Sequence, residues 1–289
     1  MRDDHIQLFN LSVGPGSQDE GDMVLDYMKM PGEMNTYDLP VLPEAEDVQK
    51  CPAAVAVMDQ LQTLIAAYQI GDSTEQMALD TMPEPDLDLL NQVFGEGEVS
   101  IVIDGDAPLR IQETVMAGVW RARQMDEEGD VVSERLEVAD IPSAVRAAAF
   151  SGARPFVAIP EQMPEGLLNA PSVLVEIADV SQRFSEASEQ PEQPHVINLS
   201  LLPFSPEDHS YLNEQLGVGA VTILSRGYGN CRITSTNVPG LWRVQYFNST
   251  DQLILDTLEV TEVPAVACAA AEDLQDSAER LTEIRDVLM

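Results

Sequence analysis

Three cysteines and three histidines are the scarce reactive side chains of this sequence, and lysine occurs only at Lys29 and Lys50. Cys231 has the most suggestive neighbours, in the run Arg226-Gly-Tyr-Gly-Asn-Cys-Arg232. Glycines, a tyrosine, an asparagine and a thiol between two arginines suit a turn that touches a partner, since a tyrosine ring is an efficient anchor and turns carry recognition. The same residues also read as a hairpin that needs its glycines and points its cysteine inward. Nothing in the spacing indicates a metal centre. There is no Cys-x-x-Cys, His5, His195 and His209 are scattered, and Cys51, Cys231 and Cys268 stand far apart. Unpaired cysteines are more often small core residues than ligands. Neither lysine follows a phosphate-binding glycine loop, and no Gly-x-Ser-x-Gly elbow occurs. No catalytic, cofactor or metal residues are assigned, and the expectation is a protein that is not an enzyme.

Charge narrows the partners. Fifty Asp and Glu against 15 Lys and Arg give a formal net charge of −35 over 289 residues. Such a chain repels phosphate backbones and anionic membrane surfaces, so nucleic acid and membrane insertion are not expected. The start, Met1-Arg-Asp-Asp-His-Ile-Gln, has neither the basic nor the apolar region of a secretory signal, and three widely spaced cysteines do not make a disulfide scaffold. The expected location is cytoplasmic.

The elements that must position these residues come in two copies. Residues 86–145 align with 208–267 at a constant offset of 122, with 18 of 60 pairs identical. The pairs include Asn91/Asn213, Gly118/Gly240, Trp120/Trp242, Arg121/Arg243 and Arg110/Arg232. The only two tryptophans fall at equivalent places, which favours a shared core role for them. In the second copy Ser205-Pro-Glu-Asp208 carries the signature of a helix start, and Gly217 ends that helix. Pro85 and Gly95 bracket its counterpart. Four β-rich runs follow, at 221–224, 231–236, 241–247 and 253–260, separated by turn residues. Helical spacing marks Pro52 to Ile70, Pro171 to Phe184 and Ala265 to Leu288.

The expected fold is therefore α+β: two tandem homologous modules, each a short antiparallel meander sheet with flanking helices, plus an extended N-terminal arm. The boundaries are 1–50 for the acidic, Met-bearing arm, 51–184 for the first module, 185–195 for a polar linker and 196–289 for the second module. Met30, Met34 and Tyr37 in the arm are candidate contacts, since methionine surfaces adapt to partners. The copies differ in charge, −10 in the first and −3 in the second. The loop at 226–232, with Arg226, Tyr228, Gly229, Asn230, Cys231 and Arg232, is the candidate partner-binding or thiol site.

Several segments resemble the HupH/HyaF hydrogenase-expression proteins: Ile197-Asn-Leu-Ser-Leu-Leu-Pro-Phe-Ser-Pro-Glu-Asp208, Leu224-Ser-Arg-Gly-Tyr-Gly-Asn-Cys-Arg-Ile233 and Trp242-Arg-Val-Gln-Tyr-Phe-Asn-Ser249. Leu255 to Pro264 and Met30-Pro-Gly-Glu-Met-Asn-Thr-Tyr37 extend the likeness. The resemblance implies an accessory chaperone for maturation of an uptake nickel–iron hydrogenase. Its implied partners are the iron–sulfur small-subunit precursor, before twin-arginine export, and a thioredoxin-like accessory protein. An acidic protein can attract and orient a basic, partly unfolded client. The alternative is a thiol-dependent redox or iron–sulfur cluster-handling protein that uses Cys231 with Cys51 or Cys268. A third reading is an adaptor that bridges other maturation proteins.

Overall fold

A computed structural model describes residues 43–72, 75–154, 164–187, 193–227 and 229–288. Met30, Met34, Tyr37 and Tyr228 lie outside the described residues, as does the arm through residue 42. The first half opens with α1 (Ala45–Val48), α2 (Pro52–Ala67), β1 (Met77–Ala78) and α3 (Glu84–Phe94). It continues through β2 (Val99–Ile103), β3 (Leu109–Glu113), β4 (Val119–Met125), β5 (Val131–Val138) and α4 (Ser143–Ala148). The second half runs through α5 (Ala170–Glu186), β6 (His195–Asn198), α6 (Pro206–Leu216), β7 (Val221–Ser225), β8 (Asn230–Ser235), β9 (Leu241–Phe247), β10 (Leu253–Val260) and α7 (Ala271–Leu288). Residues 188–192, within the expected linker, lie outside the described residues, while Ser185 and Glu186 continue α5 and His195 opens β6.

The fold is α+β. Among the described residues all ten strands join one sheet in the order β1-β5-β4-β3-β2-β7-β8-β9-β10-β6, each neighbouring pair antiparallel. The expectation of a separate sheet for each module does not describe this arrangement, because β2 pairs with its own counterpart β7. Ile101 faces Ile223, with Val99 opposite Ser225 and Ile103 opposite Val221. Since Ile223 is Ile101 displaced by the repeat offset, the two halves meet as an isologous pair about a local two-fold through that residue pair. Each half thereby covers the edge strand that the other half would leave with unpaired N–H and C=O groups.

Period-two alternation sorts every strand between two faces. Trp120 and Trp242 point to one face, together with Ile101, Ile111, Ile223 and Ile233, and this face is sealed by Val145 of α4 and by the chain around Val263 and Ala267. Arg121 and Arg243, one residue later, point to the other face. On that face the outer strands are apolar. Val119, Leu136 and Val138 pack under α2, α3 and α7, and Leu241, Leu258 and Val260 pack with α5 and α6. Each fully buried Leu or Ile there contributes about 2 kcal/mol relative to exposure.

The repeated polar residues tie the helices to this face. Arg121 binds Glu134 on β5 and Asn91 on α3. Arg243 repeats this with a bidentate pair to Asp256 (2.9 and 2.5 Å) and a bond to Asn213 on α6 (2.5 Å). Burial pushes Glu134 up, and the guanidinium groups of Arg121 and Arg123 overcome it and hold the carboxyl below its ordinary value. Gly118 and Gly240, at φ +79° and +72°, turn the chain between β3–β4 and β8–β9, where a Cβ would meet Leu274 and Phe184 respectively.

The C-terminal helix starts later than its spacing suggests. Ala265–Ala267 forms a 3-10 turn, and the amide of Ala269 then donates to the Asp140 carbonyl (2.9 Å), which holds the chain extended before α7 begins at Ala271. Strands β1 and β6, too short or too exposed to show a pattern, add the outer edges by pairing with β5 and β10.

Glu113, at the end of β3, is 7% exposed, and its Oε1 accepts from the Gly118 amide at 3.2 Å. Burial pushes its carboxyl up to about 7 against the pull of that amide, and the Glu98 and Asp273 charges add to the rise. The folded chain therefore holds this proton to higher pH than the unfolded chain does. Its contribution is fully present below the ordinary value of 4.5 and is lost as pH rises through about 7. Gln keeps the acceptor oxygen and cannot ionise. Glu113→Gln is expected to match the parent at pH 5 and to be more stable by about 2 kcal/mol at pH 8.5, read from urea unfolding at both pH values. Equal stabilities at pH 8.5 would exclude a raised carboxyl here.

Candidate functional site

The run singled out by its residue types forms the β7–β8 hairpin. Its two glycines answer different local demands. A Cβ on Gly227 would run into the Glu98 carboxylate, and Gly229 has φ +102°. The Arg226 amide donates to the Glu98 carbonyl (3.1 Å), which fastens the turn to the start of β2. Arg226, Gly227 and Gly229 are exposed, and Asn230 and Arg232 are half-buried.

Cys231 takes the opposite side. It lies on the tryptophan face, 4% exposed, between Ser225 on β7 and Tyr246 on β9. Burial pushes its thiol up to about 11, although a hydrogen bond with Tyr246 favours the thiolate. A thiol acts as nucleophile or ligand in its ionised form, so this cysteine is protonated and covered at neutral pH. Cys51 and Cys268 are likewise raised, chiefly by burial, the latter to about 12. The Cys51 thiol donates to the Pro85 carbonyl (3.5 Å) and belongs to the core under α2, α3 and α7, whereas Cys231 and Cys268 belong to the core across the sheet. The three thiols do not converge. Among the described residues no group of three or more His, Cys, Asp or Glu side chains is placed to hold a metal ion.

What alternation does bring together is Asn230 and Arg232, on the same face as Arg243. The Arg232 guanidinium lies 5.4 Å from the centre of the Phe247 ring, and Asn230 Nδ2 is 3.5 Å from Asp251 in the neighbouring β9–β10 turn. The register also adds arginines outside the 226–232 run. Arg110 on β3 stands opposite Val102 and Arg123, and Arg232 on β8 stands opposite Leu224 and Gln245. Arg110, Arg121, Arg123, Arg232 and Arg243 therefore share one face of six adjacent strands. The signal that could have found four of them was the identity of Arg110 with Arg232 and of Arg121 with Arg243 across the repeat, whereas Arg123 has Gln245 as its counterpart.

The comparisons with known proteins follow the same duplication. The family model for the HupH hydrogenase expression protein, C-terminal conserved region, matches residues 52–151 and again 167–288. A hydrogenase expression/formation protein HupQ of Azotobacter chroococcum mcd 1 is 55% identical over 275 residues, covering 95% of each chain. The hydrogenase-1 operon protein HyaF of Escherichia coli (strain K12) is 30% identical, covering 94% of each. A solved structure of the hydrogenase expression protein HupH from Thiobacillus denitrificans ATCC 25259 is 27% identical, covers 41% of this chain and 95% of its own, and has a TM-score of 0.37. With two matches to one family model and relatives aligned along nearly the whole length, the chain belongs to the HupH/HyaF family of hydrogenase expression proteins.

Proposed function

We propose that this protein serves the maturation of an uptake nickel–iron hydrogenase as a chaperone without catalytic chemistry of its own. It holds the iron–sulfur small-subunit precursor in the cytoplasm before twin-arginine export, alongside a thioredoxin-like accessory protein. The observation that carries the reading is the near full-length match to proteins named for hydrogenase expression and formation. The charge of −35 supports it, because an acidic surface raises the local concentration of a basic client and orients its approach. The duplicated module supports it too, since one chain then offers two related surfaces. The β7–β8 turn, with Arg226, Gly229, Asn230 and Arg232 and with Tyr228 of the same run, is the proposed contact with a partner, and Met30, Met34 and Tyr37 are proposed as separate contacts of the N-terminal arm.

The thiol-dependent reading draws no support from Cys231, whose sulfur is covered and protonated. The test is capture of the small-subunit precursor by the tagged protein, with and without the precursor's leader, at low and high salt. Salt-sensitive capture is expected, and loss of capture on leader removal would assign the leader as the part held. Absence of capture in every arm would overturn the chaperone reading, and iron bound to the purified protein would restore the thiol reading.

A further inference from the structure

Both copies leave the same two apolar side chains in the open. Val131 and Val132, which begin β5, are 50% and 56% exposed, and their counterparts Leu253 and Ile254 on β10 are 36% and 61% exposed. A β-bulge falls at the same place in each copy. Met125 pairs with Val131 and Gln124 with Ser133, which leaves Val132 as the extra residue. Phe247 pairs with Leu253 and Tyr246 with Leu255, which leaves Ile254. The outer neighbour of each strand stops short of this point. β1 pairs with β5 at Leu136 and Arg135, and the Glu134 amide then donates to Asp80 Oδ1 (2.5 Å). β6 pairs with β10 at 257–260, and the Asp256 amide donates to Ser200 Oγ (2.8 Å). Past those two caps, no strand among the described residues pairs with the outer side of 131–133 or 253–255.

The backbone and the apolar pair are alike in the two copies, but the charge around them is not. The Met125 amide donates to the Pro108 carbonyl (2.9 Å), which brings the β2–β3 and β4–β5 turns together at one end of the sheet. Those turns carry Asp104, Asp106, Asp126, Glu127, Glu128 and Asp130, all exposed except the half-buried Asp126. The six equivalent positions of the second copy hold Arg226, Tyr228, Asn248, Ser249, Thr250 and Gln252. At that other end Asp251 and Glu98 stand with Arg226 and Arg232, so the signs are balanced there. Around Val131 and Val132 they are not. Even with Arg110, Arg123 and Arg135 of the adjoining strands counted, the six turn carboxylates outnumber arginines two to one, and Arg123 is already paired with Glu134.

We propose that the open start of β5 is a docking surface for a basic segment of a partner protein. An apolar side chain of the segment rests on Val131 and Val132, and Lys or Arg on either side meets the carboxylates of the two turns. Acidic turns by themselves are ordinary solvated surface. What singles out this end is the exposed apolar pair on an unpaired edge, which supplies the contact while the charge selects the occupant. The bulge twists the edge, so the contact is short and not a long added strand. A second copy of this chain, also at −35, is repelled from this end. Because β2 and β7 run antiparallel, this surface and the β7–β8 turn lie at opposite ends of the sheet and are separate contacts. The inference holds whichever protein supplies the segment and does not depend on the hydrogenase reading.

The test uses the full chain and a fluorescein-labelled peptide of alternating Arg and Leu, followed by anisotropy at low and high salt. Binding that weakens with salt is expected. Val131→Thr/Val132→Thr and Glu127→Gln/Glu128→Gln/Asp130→Asn are each expected to weaken it about fivefold or more. Two matched variants are expected to stay within about twofold of the parent: Leu253→Thr/Ile254→Thr in the second copy, and Glu272→Gln/Asp276→Asn/Glu279→Gln on α7. All these positions are exposed, and thermal unfolding of each variant is compared with the parent. If the threonine variant of β5 does not fold, the two charge variants carry the comparison. No binding would overturn the proposal. Equal losses from the local and the matched variants would also overturn it, by showing a general attraction of a basic peptide to an acidic chain. So would full binding by a folded Val131→Thr/Val132→Thr variant, since the apolar pair would then take no part.

Discussion

Asp208→Ala is expected to lower the stability of the protein by about 3–5 kcal/mol, among the larger effects for a single side chain. Asp208 is fully buried and serves two helix starts. In its own helix α6 it completes a capping box: its amide donates to Ser205 Oγ (3.0 Å), and its Oδ2 accepts from the Ser205 amide (3.0 Å). Its Oδ1 also accepts from the amides of Leu168 (2.9 Å), Asn169 (3.2 Å) and Ala170 (2.9 Å), where α5 begins. Alanine leaves these N–H groups without an acceptor in a closed site, and the loss includes their desolvation as well as the bonds. Burial pushes the carboxyl up, but the amides of Ser205, Ala170, Leu168 and Asn169 outweigh it and hold the group below its ordinary value. Its contribution is therefore present at neutral pH and declines as pH falls through that depressed value. Asp208→Asn keeps one acceptor oxygen and should lose about half as much. Urea unfolding measures both variants, and a loss below about 1 kcal/mol for Asp208→Ala would show that water replaces the carboxylate. Asp86, its counterpart, accepts from the Ala54 amide at the start of α2 (2.9 Å). In that half Pro83 precedes the helix and no side-chain cap forms, so Asp86→Ala should cost less.

Trp242→Ala is expected to cost about 4–5 kcal/mol and to expose the tryptophan face to solvent. The Trp242 ring is 0% exposed and meets Phe150 edge to face at 5.3 Å and 77°, a geometry that adds to simple burial. Its Nε1 donates to the Glu262 carbonyl (3.1 Å), which pins the segment that crosses this face after β10. Trp120 repeats the arrangement in the first half by donating to the Ala139 carbonyl (2.8 Å). Because the two rings belong to one continuous core, Trp120→Ala and Trp242→Ala should couple in a double-mutant cycle. Additive losses would mean that the two rings share no packing partners. Trp242→Phe should recover part of the loss, since it keeps the aromatic volume without the N–H donor.

The helices and strands of both copies were legible because they rest on local rules. The Ser205-Pro-Glu-Asp208 box sets the start of α6, Gly217 its end, and β-branched runs between turn residues give β9 and β10 their limits. The equivalence of the tryptophans marked them for the core for the same reason: one residue type at one register in two copies needs a shared packing environment. Strands β1 and β6 were not legible. Two and four residues at a sheet edge carry too little pattern, and their pairing with β5 and β10 is decided at long range.

For the candidate site the sequence determined the turn, through glycines needed at Gly227 and Gly229, but not the direction of the side chains around it. Alternation alone says that Cys231 and Arg232 oppose each other, and does not say which faces the core. The packing of α4 and the segment around Val263 onto the tryptophan face decided that, and so sent the thiol inward and the arginine to the open side. The sequence by itself thus determined the duplicated module, its caps and turns, and its acidity. Only the tertiary structure decided that β2 pairs with β7 about Ile101 and Ile223, joining the two halves into one sheet with five arginines on a shared face. Strand pairing between residues 122 positions apart depends on which edges are left uncovered once each half has packed its own helices, and no local pattern encodes that choice.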